Sequence, residues 1–343
     1  MQNEITSKGP LLNNEGNLRE KGYSRKMLLE YNRNDIKAKK MRIKEWDYYL
    51  IHNNEYGICL TLDDNGYMSM ESVSILDFKN AKEKTVSPIQ PMSLGKIGLP
   101  PSSVSGDCIY HSKDVDMEFK HIENGRVLDV RMDNFHDGKT FKCHLVLTNE
   151  PAESMVIATP FEKKAHFYYN QKIVGFKAHG YFSLGEYMYS FDEEDTRALL
   201  DWGRGVWTYK NVWYWGAGCG NVDGHEVGFN IGYGFGDTSA ASENCIFYDG
   251  KMHKLDQVTF NIPNDGNGIY YYTKPWTFTS NDNRFEMNFT PILNRASLTD
   301  VKLIKSDQNQ VFGYFNGTML LDDGTKVELK DFLAFAERVD NKW

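Results

Sequence analysis

In one stretch of this chain, residues 201–250, glycine recurs at every second residue among tryptophan and tyrosine. The stretch contains the segments DWGRGVW (201–207), WYWGAGCG (213–220) and GFNIGYGFGD (228–237). Because side chains two residues apart lie on the same face of a β-strand, glycine at i, i+2 and i+4 leaves one face bare. We expect a bulky neighbour to cover that face, either packed protein or a ligand. The pattern predicts β-strands.

The rest of the chain continues the strand pattern, with aromatic and β-branched runs separated by turn residues. Aromatic residues make up 14% of the sequence, a bias that favours strands over helices. Runs such as EWDYYLIH (45–52) are followed by turns such as DDNG (63–66). Helical patterning is confined to two short segments, residues 24–31 and 192–200. We therefore predict an all-β fold of two tandem antiparallel β-barrels with little helix, divided into residues 1–153 and 154–343.

Charge and cysteine content restrict the classes of partner and compartment. A net charge of −8 argues against a nucleic-acid partner, because phosphate binding requires a basic surface. The five cysteines form no CxxC pair and no metal-like cluster, which is typical of reduced thiols in the cytoplasm. No apolar run approaches the ~18 residues of a membrane-spanning helix, and the polar N-terminus predicts no signal peptide. We expect a soluble cytoplasmic protein.

Two familiar chemical motifs are incomplete in the sequence. Each glycine-rich segment lacks the last glycine of GxGxxG, which is replaced by Asn221 or Asp237, so no phosphate-binding loop is predicted. The pair His225-Glu226 lacks the second histidine of the HExxH zinc motif. We predict neither a metal site nor a bound cofactor.

Charged residues among the apolar strands of residues 201–250 are the best candidates for chemistry. Asp201 and Glu243 flank the glycine-rich strands, and Arg204 follows Asp201 by three residues. A carboxyl group in an apolar barrel has its pKa raised by desolvation and can donate a proton near neutral pH, whereas an adjacent arginine keeps a carboxyl ionised. Asp201, Arg204 and Glu243 are therefore the predicted catalytic residues. A purely structural Asp201–Arg204 pair is the alternative.

Aromatic and polar side chains of the same stretch are the predicted ligand-binding residues. They are Trp202, Trp207, Trp213, Trp215, Asn230, Tyr233 and Asp237. The aromatic members would form apolar walls, since nearly closed barrels of about eight strands can hold one small ligand. The pocket would lie in the second barrel or in the cleft between the two barrels.

Several segments resemble a bacterial family defined by a domain of unknown function, family 2804. They are GPLLNNEGNL (9–18), KEWDYY (44–49), LPPSS (99–103) and DWGRGVW with the following WYWGAG, of which DWGRG is the most specific. The resemblance covers nearly the whole chain and implies lipocalin-like, or calycin, barrels. Distant members of that group include carotenoid 1,2-hydratases, tocopherol cyclases and fungal Diels–Alder cyclases. The likeness implies proton-driven or shape-driven chemistry on unsaturated hydrophobic molecules without a redox cofactor.

Three functions fit these observations. The first is binding of an apolar or amphipathic small molecule of the lipid or isoprenoid class. The second is a cofactor-independent hydratase, cyclase or isomerase that uses Asp201 or Glu243 as proton donor. The third is carbohydrate binding or hydrolysis, because aromatic surfaces and paired acids also suit sugars. Enzyme and carrier are both retained as hypotheses, and the oligomeric state is left open.

Overall fold

The computed structural model describes residues 2–301 and 304–343, and within them β-strands dominate. The first sixteen strands are β1 Gly9–Pro10, β2 Gly22–Ser24, β3 Leu29–Glu30, β4 Lys44–His52, β5 Tyr56–Asp64, β6 Met68–Asp77, β7 Lys82–Val86, β8 Ile89–Pro91, β9 Cys108–His111, β10 Val115–Ile122, β11 Gly125–His136, β12 Lys139–Thr148, β13 Met155–Pro160, β14 Phe167–Leu184, β15 Tyr187–Phe191 and β16 Arg197–Val206. The other nine are β17 Lys210–Val222, β18 His225–Tyr233, β19 Cys245–Tyr248, β20 Lys251–Lys254, β21 Val258–Asn261, β22 Trp276–Ser280, β23 Phe285–Val301, β24 Ile304–Leu320 and β25 Lys326–Lys342. Two single 3-10 turns are the helical segments of the described chain, Arg33–Asp35 and Lys40–Arg42.

The strands form two large antiparallel sheets. The order in the first is β7-β6-β5-β4-β16-β14-β12-β11-β10-β9, with β2, β8, β13 and β15 attached beside this path. The order in the second is β20-β19-β18-β17-β25-β24-β23-β22-β21. Only the short pair β1–β3, among the described strands, is parallel, and it stands apart from both sheets. The predicted all-β fold of two antiparallel, lipocalin-like units with little helix is confirmed.

Buried apolar side chains form three clusters. One belongs to the first sheet and the segment before it, and includes Trp202. Another belongs to the second sheet and includes Phe229 and Phe332. The third takes side chains from both sheets, among them Tyr48 and Trp215, and therefore fills the space between the sheets. Alternation along each strand sends successive side chains to different clusters.

The change from one sheet to the other comes at residues 207–209, between β16 and β17. The predicted division at residues 153/154 falls instead between β12 and β13, which both belong to the first sheet. After that point the chain continues this sheet, because β13 pairs with β2 and β14, and β14 pairs with β12 and β16. The domain limits 1–153 and 154–343 stay a prediction that strand pairing does not reproduce.

The two short helical predictions are wrong. Residues 24–31 contain the end of β2 and the pair Leu29–Glu30 of β3. In residues 192–200, a turn leads at Arg197 into β16. Ala198, Leu199 and Leu200 pair with both β14 and β4 and are buried, so sheet packing overrides their helix propensity.

Candidate functional site between the two sheets

A cavity of about 200 Å³ lies between the two sheets and takes side chains from both. Its aromatic lining consists of Trp46, Tyr48, Tyr168, Trp207, Trp213, Trp215, Phe235 and Trp343. Its polar and remaining lining consists of Thr61, Asp63, Asn65, Met70, Lys172, Asp201, Glu243, Arg295, Gln308, Gln310 and Glu337. The lining is therefore aromatic on its walls and contains several ionisable groups.

The DWGRGVW segment builds one wall of the cavity through strand alternation. Asp201 and Trp207 lie on the face directed at the second sheet and line the cavity. Gly203, on the same face, has no side chain, and a Cβ atom there would fall 2.0 Å from Cζ2 of Trp46. The Trp46 ring occupies that space, stacks on Tyr168 with centroids 6.1 Å apart, and meets the edge of Trp207 at 5.4 Å. Glycine in this motif thus makes room for a tryptophan ring.

The bare strand face in WYWGAGCG is covered by side chains of the second sheet. A Cβ atom on Gly218 or Gly220 would lie 3.1 Å or 3.0 Å from the Phe332 ring, in the core of the second sheet. Ile231 covers Gly216 in the same way. The packing alternative therefore accounts for this glycine run.

A buried ion pair joins neighbouring strands in the cavity wall. Lys172 on β14 and Asp201 on β16 occupy paired register positions, and their Nζ and Oδ1 atoms lie 2.8 Å apart. Asn170 donates a second hydrogen bond to the same oxygen of Asp201. Lys172 Nζ also lies 4.0 Å from the ring centroid of Trp215, across the gap between the sheets. Removal of either partner would leave the other as an uncompensated buried charge, which is strongly destabilising.

Two glutamates line the cavity together with the Lys172–Asp201 pair. Glu337 belongs to β25, and Glu243 lies between β18 and β19. Glu337 accepts hydrogen bonds from Trp213 Nε1 at 3.1 Å and from Gln310 Nε2 at 3.2 Å, and burial raises the pKa of its carboxyl to about 7. Burial likewise raises the pKa of Glu243, whose Oε2 atom has no hydrogen-bond partner among the described residues. A Cβ atom on Gly232 would fall 2.8 Å from Glu243 Oε1, so this glycine makes room for the carboxyl group.

Carboxyl groups outnumber cations in the lining. Among the described residues there, four carry carboxyl groups, Asp63, Asp201, Glu243 and Glu337, and two carry positive charges, Lys172 and Arg295. Because an unpaired buried carboxylate is costly, the excess acids hold protons more tightly. Burial raises the pKa of Asp63 well above its usual range, and Asn65 donates to its Oδ1 atom at 2.8 Å. Burial thus raises the pKa of three of these four carboxyl groups, Asp63, Glu243 and Glu337, and favours their protonated form.

Arg295 and Gln310 connect the two sheets at this site. Arg295 on β23 donates from Nε to Ser74 Oγ on β6 at 2.9 Å, and from Nη1 to Gln310 Oε1 at 2.8 Å. Gln310 in turn donates to the Tyr48 hydroxyl at 3.3 Å. These bonds fix the position of the second sheet against the first across the cavity.

The family follows from a comparison of the sequence with known families. The sequence profile of the domain of unknown function DUF2804 matches residues 2–343. The chain belongs to the DUF2804 family. The resemblance inferred from DWGRG and its companion segments is therefore confirmed over the whole chain. No curated protein matches this DUF2804 chain in sequence.

This DUF2804 protein shares its fold with a solved structure. It is similar to a crystal structure with the provisional name AttH from Nitrosomonas europaea, at 13% identity and a TM-score of 0.52, covering 90% of this chain and 94% of that one. It is also similar to kievitone hydratase from Nectria haematococca, at 9% identity, 88% coverage of each chain and a TM-score of 0.48. A structure of CghA has 9% identity, coverage of 98% and 97%, and a TM-score of 0.41. The first likeness shows a common fold and nothing further.

Five of the predicted site residues line the cavity of the DUF2804 protein. They are Asp201, Trp207, Trp213, Trp215 and Glu243. Asn230 lies directly behind them, where it accepts a hydrogen bond from Trp215 Nε1 at 2.8 Å and donates one to the Glu243 carbonyl at 2.9 Å. The structure thus brings these six together, and their catalytic and binding roles stay predictions.

The other four predicted residues lie away from the cavity. Arg204 is fully buried on the opposite face of β16, where it pairs with Asp47 at 2.9 Å rather than with Asp201. Trp202, on that same face, packs edge-on against aromatic rings of the first core. Tyr233 stacks on Tyr214 at 4.5 Å beside the second core. Asp237 is exposed and lies 3.6 Å from a lysine.

Sequence reasoning missed Lys172, Arg295 and Glu337. Each is a charged residue in a strand that also contains apolar or aromatic residues, as Glu337 does in LAFAERV (333–339). That signal was available, because a single charge on the buried face of a strand requires a partner. No three His, Cys, Asp or Glu side chains within residues 2–301 and 304–343 are grouped as a metal ion requires. No helix in those residues is long and apolar enough to span a membrane.

Proposed function

We propose that this DUF2804 protein binds an apolar or amphipathic small molecule in the cavity between its sheets. The observation that carries the proposal is the aromatic lining, to which both sheets contribute rings around one space. Ligand pockets are mostly apolar and aromatic, with a few polar groups that orient the ligand. Here Lys172, Glu337 and Arg295 supply such groups.

The size of the cavity restricts the ligand. An apolar cavity of about 150 Å³ holds benzene, and this one measures about 200 Å³. It therefore accepts one or two rings, or the ring end of a longer lipid or isoprenoid whose remainder extends out of the cleft. Flat rings suit walls made of Trp46, Trp207 and Trp215 because they stack on them.

Tryptophan fluorescence tests this proposal. A panel of lipids, isoprenoids and small aromatic compounds is titrated into the protein, and we expect quenching or a spectral shift with at least one class. Trp215→Phe should reduce the response, whereas Trp276→Phe should not, since Trp276 is buried in the core of the second sheet. Mass spectrometry of an organic extract of the purified protein identifies any ligand that is retained. Absence of any response across the panel would contradict binding.

A second candidate function is a cofactor-independent hydratase, cyclase or isomerase. The excess of carboxyl groups over cations favours it, because Glu337, with a pKa of about 7, can hold or release a proton at neutral pH. Glu243 is the other candidate acid, since its Oε2 atom has no partner in the described chain.

Deuterium incorporation separates an enzyme from a carrier. A ligand found by the fluorescence titration is incubated with the protein in D₂O and analysed by mass spectrometry. Proton transfer to carbon predicts solvent deuterium in the product, and Glu337→Gln or Glu243→Gln should slow its appearance at least tenfold. Glu153→Gln is the matched control, because Glu153 pairs with Arg25 away from the cavity. Unchanged ligand after long incubation would favour the carrier.

A further inference from the structure

The tryptophans around the cavity differ in how their indole N–H groups are used. Trp213 donates to Glu337 at 3.1 Å and Trp215 donates to Asn230 at 2.8 Å. The Nε1 atoms of Trp207 and Trp343 are buried and have no hydrogen-bond partner among the described residues. Trp207 is only 5% exposed. A buried donor without a partner is unusual in folded proteins and requires an explanation.

The two unpaired indoles form one fixed part of the wall. Their ring centroids lie 6.4 Å apart. Arg42 donates to both backbones, from Nη2 to the Trp207 carbonyl at 3.0 Å and from Nη1 to the Trp343 carbonyl at 2.8 Å. The backbone N–H of Trp343, as distinct from its indole N–H, also donates to the Tyr209 carbonyl at 2.9 Å. This wall is therefore held in place by the surrounding chain rather than by a contact of the indole nitrogens.

Arg295 adds a further donor to the cavity. Its Nε group donates to Ser74 Oγ on the first sheet and its Nη1 group to Gln310 Oε1 on the second, which holds the cationic guanidinium at the cavity. The lining thus contains two buried indole N–H donors, those of Trp207 and Trp343, without a partner among the described residues, and Glu243 Oε2 is a buried carboxyl oxygen without one. A pure hydrocarbon would leave all of these donors unsatisfied. A ligand with oxygen acceptors would pair with them.

We propose that the ligand is an oxygenated one- or two-ring compound whose carbonyl or ether oxygen accepts hydrogen bonds from the Trp207 and Trp343 indoles. This inference rests on the proposed binding function and names the chemical class that the site selects. Arg295 would serve a second oxygen on the same molecule. Sites built around unused polar groups discriminate strongly against ligands that lack the matching group, because those groups then stay unpaired.

A matched pair of probes tests the selection. Tetralin and 1-tetralone share one bicyclic skeleton and differ by a carbonyl oxygen, and the affinity of each for the full chain is measured by isothermal titration calorimetry. We expect 1-tetralone to bind about tenfold more tightly, which is the contribution of one well-placed hydrogen bond to a buried donor. Trp207→Phe and Trp343→Phe keep an aromatic ring but remove the N–H, and together they should bring the affinity ratio close to one.

Trp213→Phe provides the control, because the Trp213 N–H is already used by Glu337. It should change the affinity for both probes by the same factor and leave their ratio intact. Tetralin binding reports in every variant that the cavity is still formed. Equal affinities of the two probes for the unaltered protein, or a ratio that survives the double Trp207→Phe/Trp343→Phe variant, would overturn the inference while leaving the binding function in place. Failure of both probes and of the wider panel would instead overturn the binding function.

Discussion

The ring of Trp46 lies where a side chain of Gly203 would be, with Cζ2 2.0 Å from the position of a Cβ atom. We predict that Gly203→Ala destabilises the protein by about 1–3 kcal/mol, the cost of overpacking a close-packed interior. The displaced Trp46 ring should also lose its stacking on Tyr168 and weaken ligand binding. Urea denaturation and the fluorescence titration measure the two effects.

Gly9→Ala is the control for this substitution, since nothing lies within 4 Å of a Cβ atom on Gly9. It should leave stability unchanged within about 0.5 kcal/mol. In a Trp46→Leu background, Gly203→Ala should cost much less, because the smaller side chain leaves space. An equal cost in both backgrounds would contradict the steric explanation.

The Lys172–Asp201 pair gives a second prediction. Lys172→Met should destabilise the protein by about 3–5 kcal/mol, because it leaves the buried Asp201 carboxylate without its cation. Replacing both partners, as in Lys172→Met/Asp201→Leu, should recover most of that loss. Lys142→Met on β12 is the control at an exposed lysine and should have little effect. A small loss in Lys172→Met would show that the pair is not important for stability.

Glu337 predicts a specific pH dependence. Burial raises the pKa of its carboxyl from 4.5 to about 7 in the folded protein, so between these values the folded state binds more protons than the unfolded state. Stability from this group is therefore complete below pH 4.5 and is lost as the pH rises through 7, by at most about 3 kcal/mol. Glu337→Gln should remove this loss, as measured by urea denaturation between pH 5 and pH 8.

Glu153 should affect the dependence of stability on pH in the direction opposite to Glu337, and Glu153→Gln should remove that effect. Partial burial raises the pKa of Glu153, but the Met252 N–H and Arg25 outweigh that effect and lower it overall. Its contribution to stability is therefore present at neutral pH and is lost as the pH falls through the lowered pKa.

The Glu337 prediction has a clear contradicting outcome. If Glu337→Gln kept the same dependence of stability on pH as the unaltered protein, the Glu337 carboxyl would not be the titrating group.

Arg204 should be essential for stability and unimportant for the ligand. Its guanidinium donates to Asp47 and to the carbonyls of Trp46, Gly203 and Pro100, a set of bonds that lysine cannot reproduce. We predict that Arg204→Lys costs about 3 kcal/mol of stability but changes ligand affinity less than twofold. Arg131→Lys, at a partly exposed ion pair with Asp116, should change stability little. Loss of binding in a folded Arg204→Lys protein would contradict the independence of Arg204 from the ligand site.

The strands and the aromatic face of the site could be predicted from the sequence, because both follow from alternation within one segment. The same rule also explains why two of the predicted residues lie away from the cavity. Asp201 and Arg204 are three positions apart. Because that spacing is odd, their side chains point to opposite faces of a strand. Trp202 leaves the cavity for the same reason, whereas Trp207 stays in it. Applied strictly, the rule places Arg204 and Trp202 on the face of the strand opposite Asp201.

The remaining members of the site depend on strand pairing over long sequence distances. Lys172 meets Asp201 because β14 pairs with β16, and Tyr48 meets Asp201 because β16 pairs with β4. Glu337 reaches the cavity through the pairing of β25 with β17. Local patterns contain no information about such partners, since many antiparallel registers satisfy the same alternation.

The pairing of β17 with β25 also determines when the cavity wall can form during synthesis of the chain. The wall formed by Trp213, Trp215 and Glu337 is complete only after β25 has been synthesised, and contacts between such distant segments are slow to form. Until then the Trp207 ring on the first sheet also lacks its neighbour Trp343, which follows β25 and lies 6.4 Å from it between ring centroids. An uncovered aromatic surface of this kind promotes aggregation of a nascent chain. The surface that suits a small molecule in the finished protein is thus the one that most exposes the growing chain to aggregation.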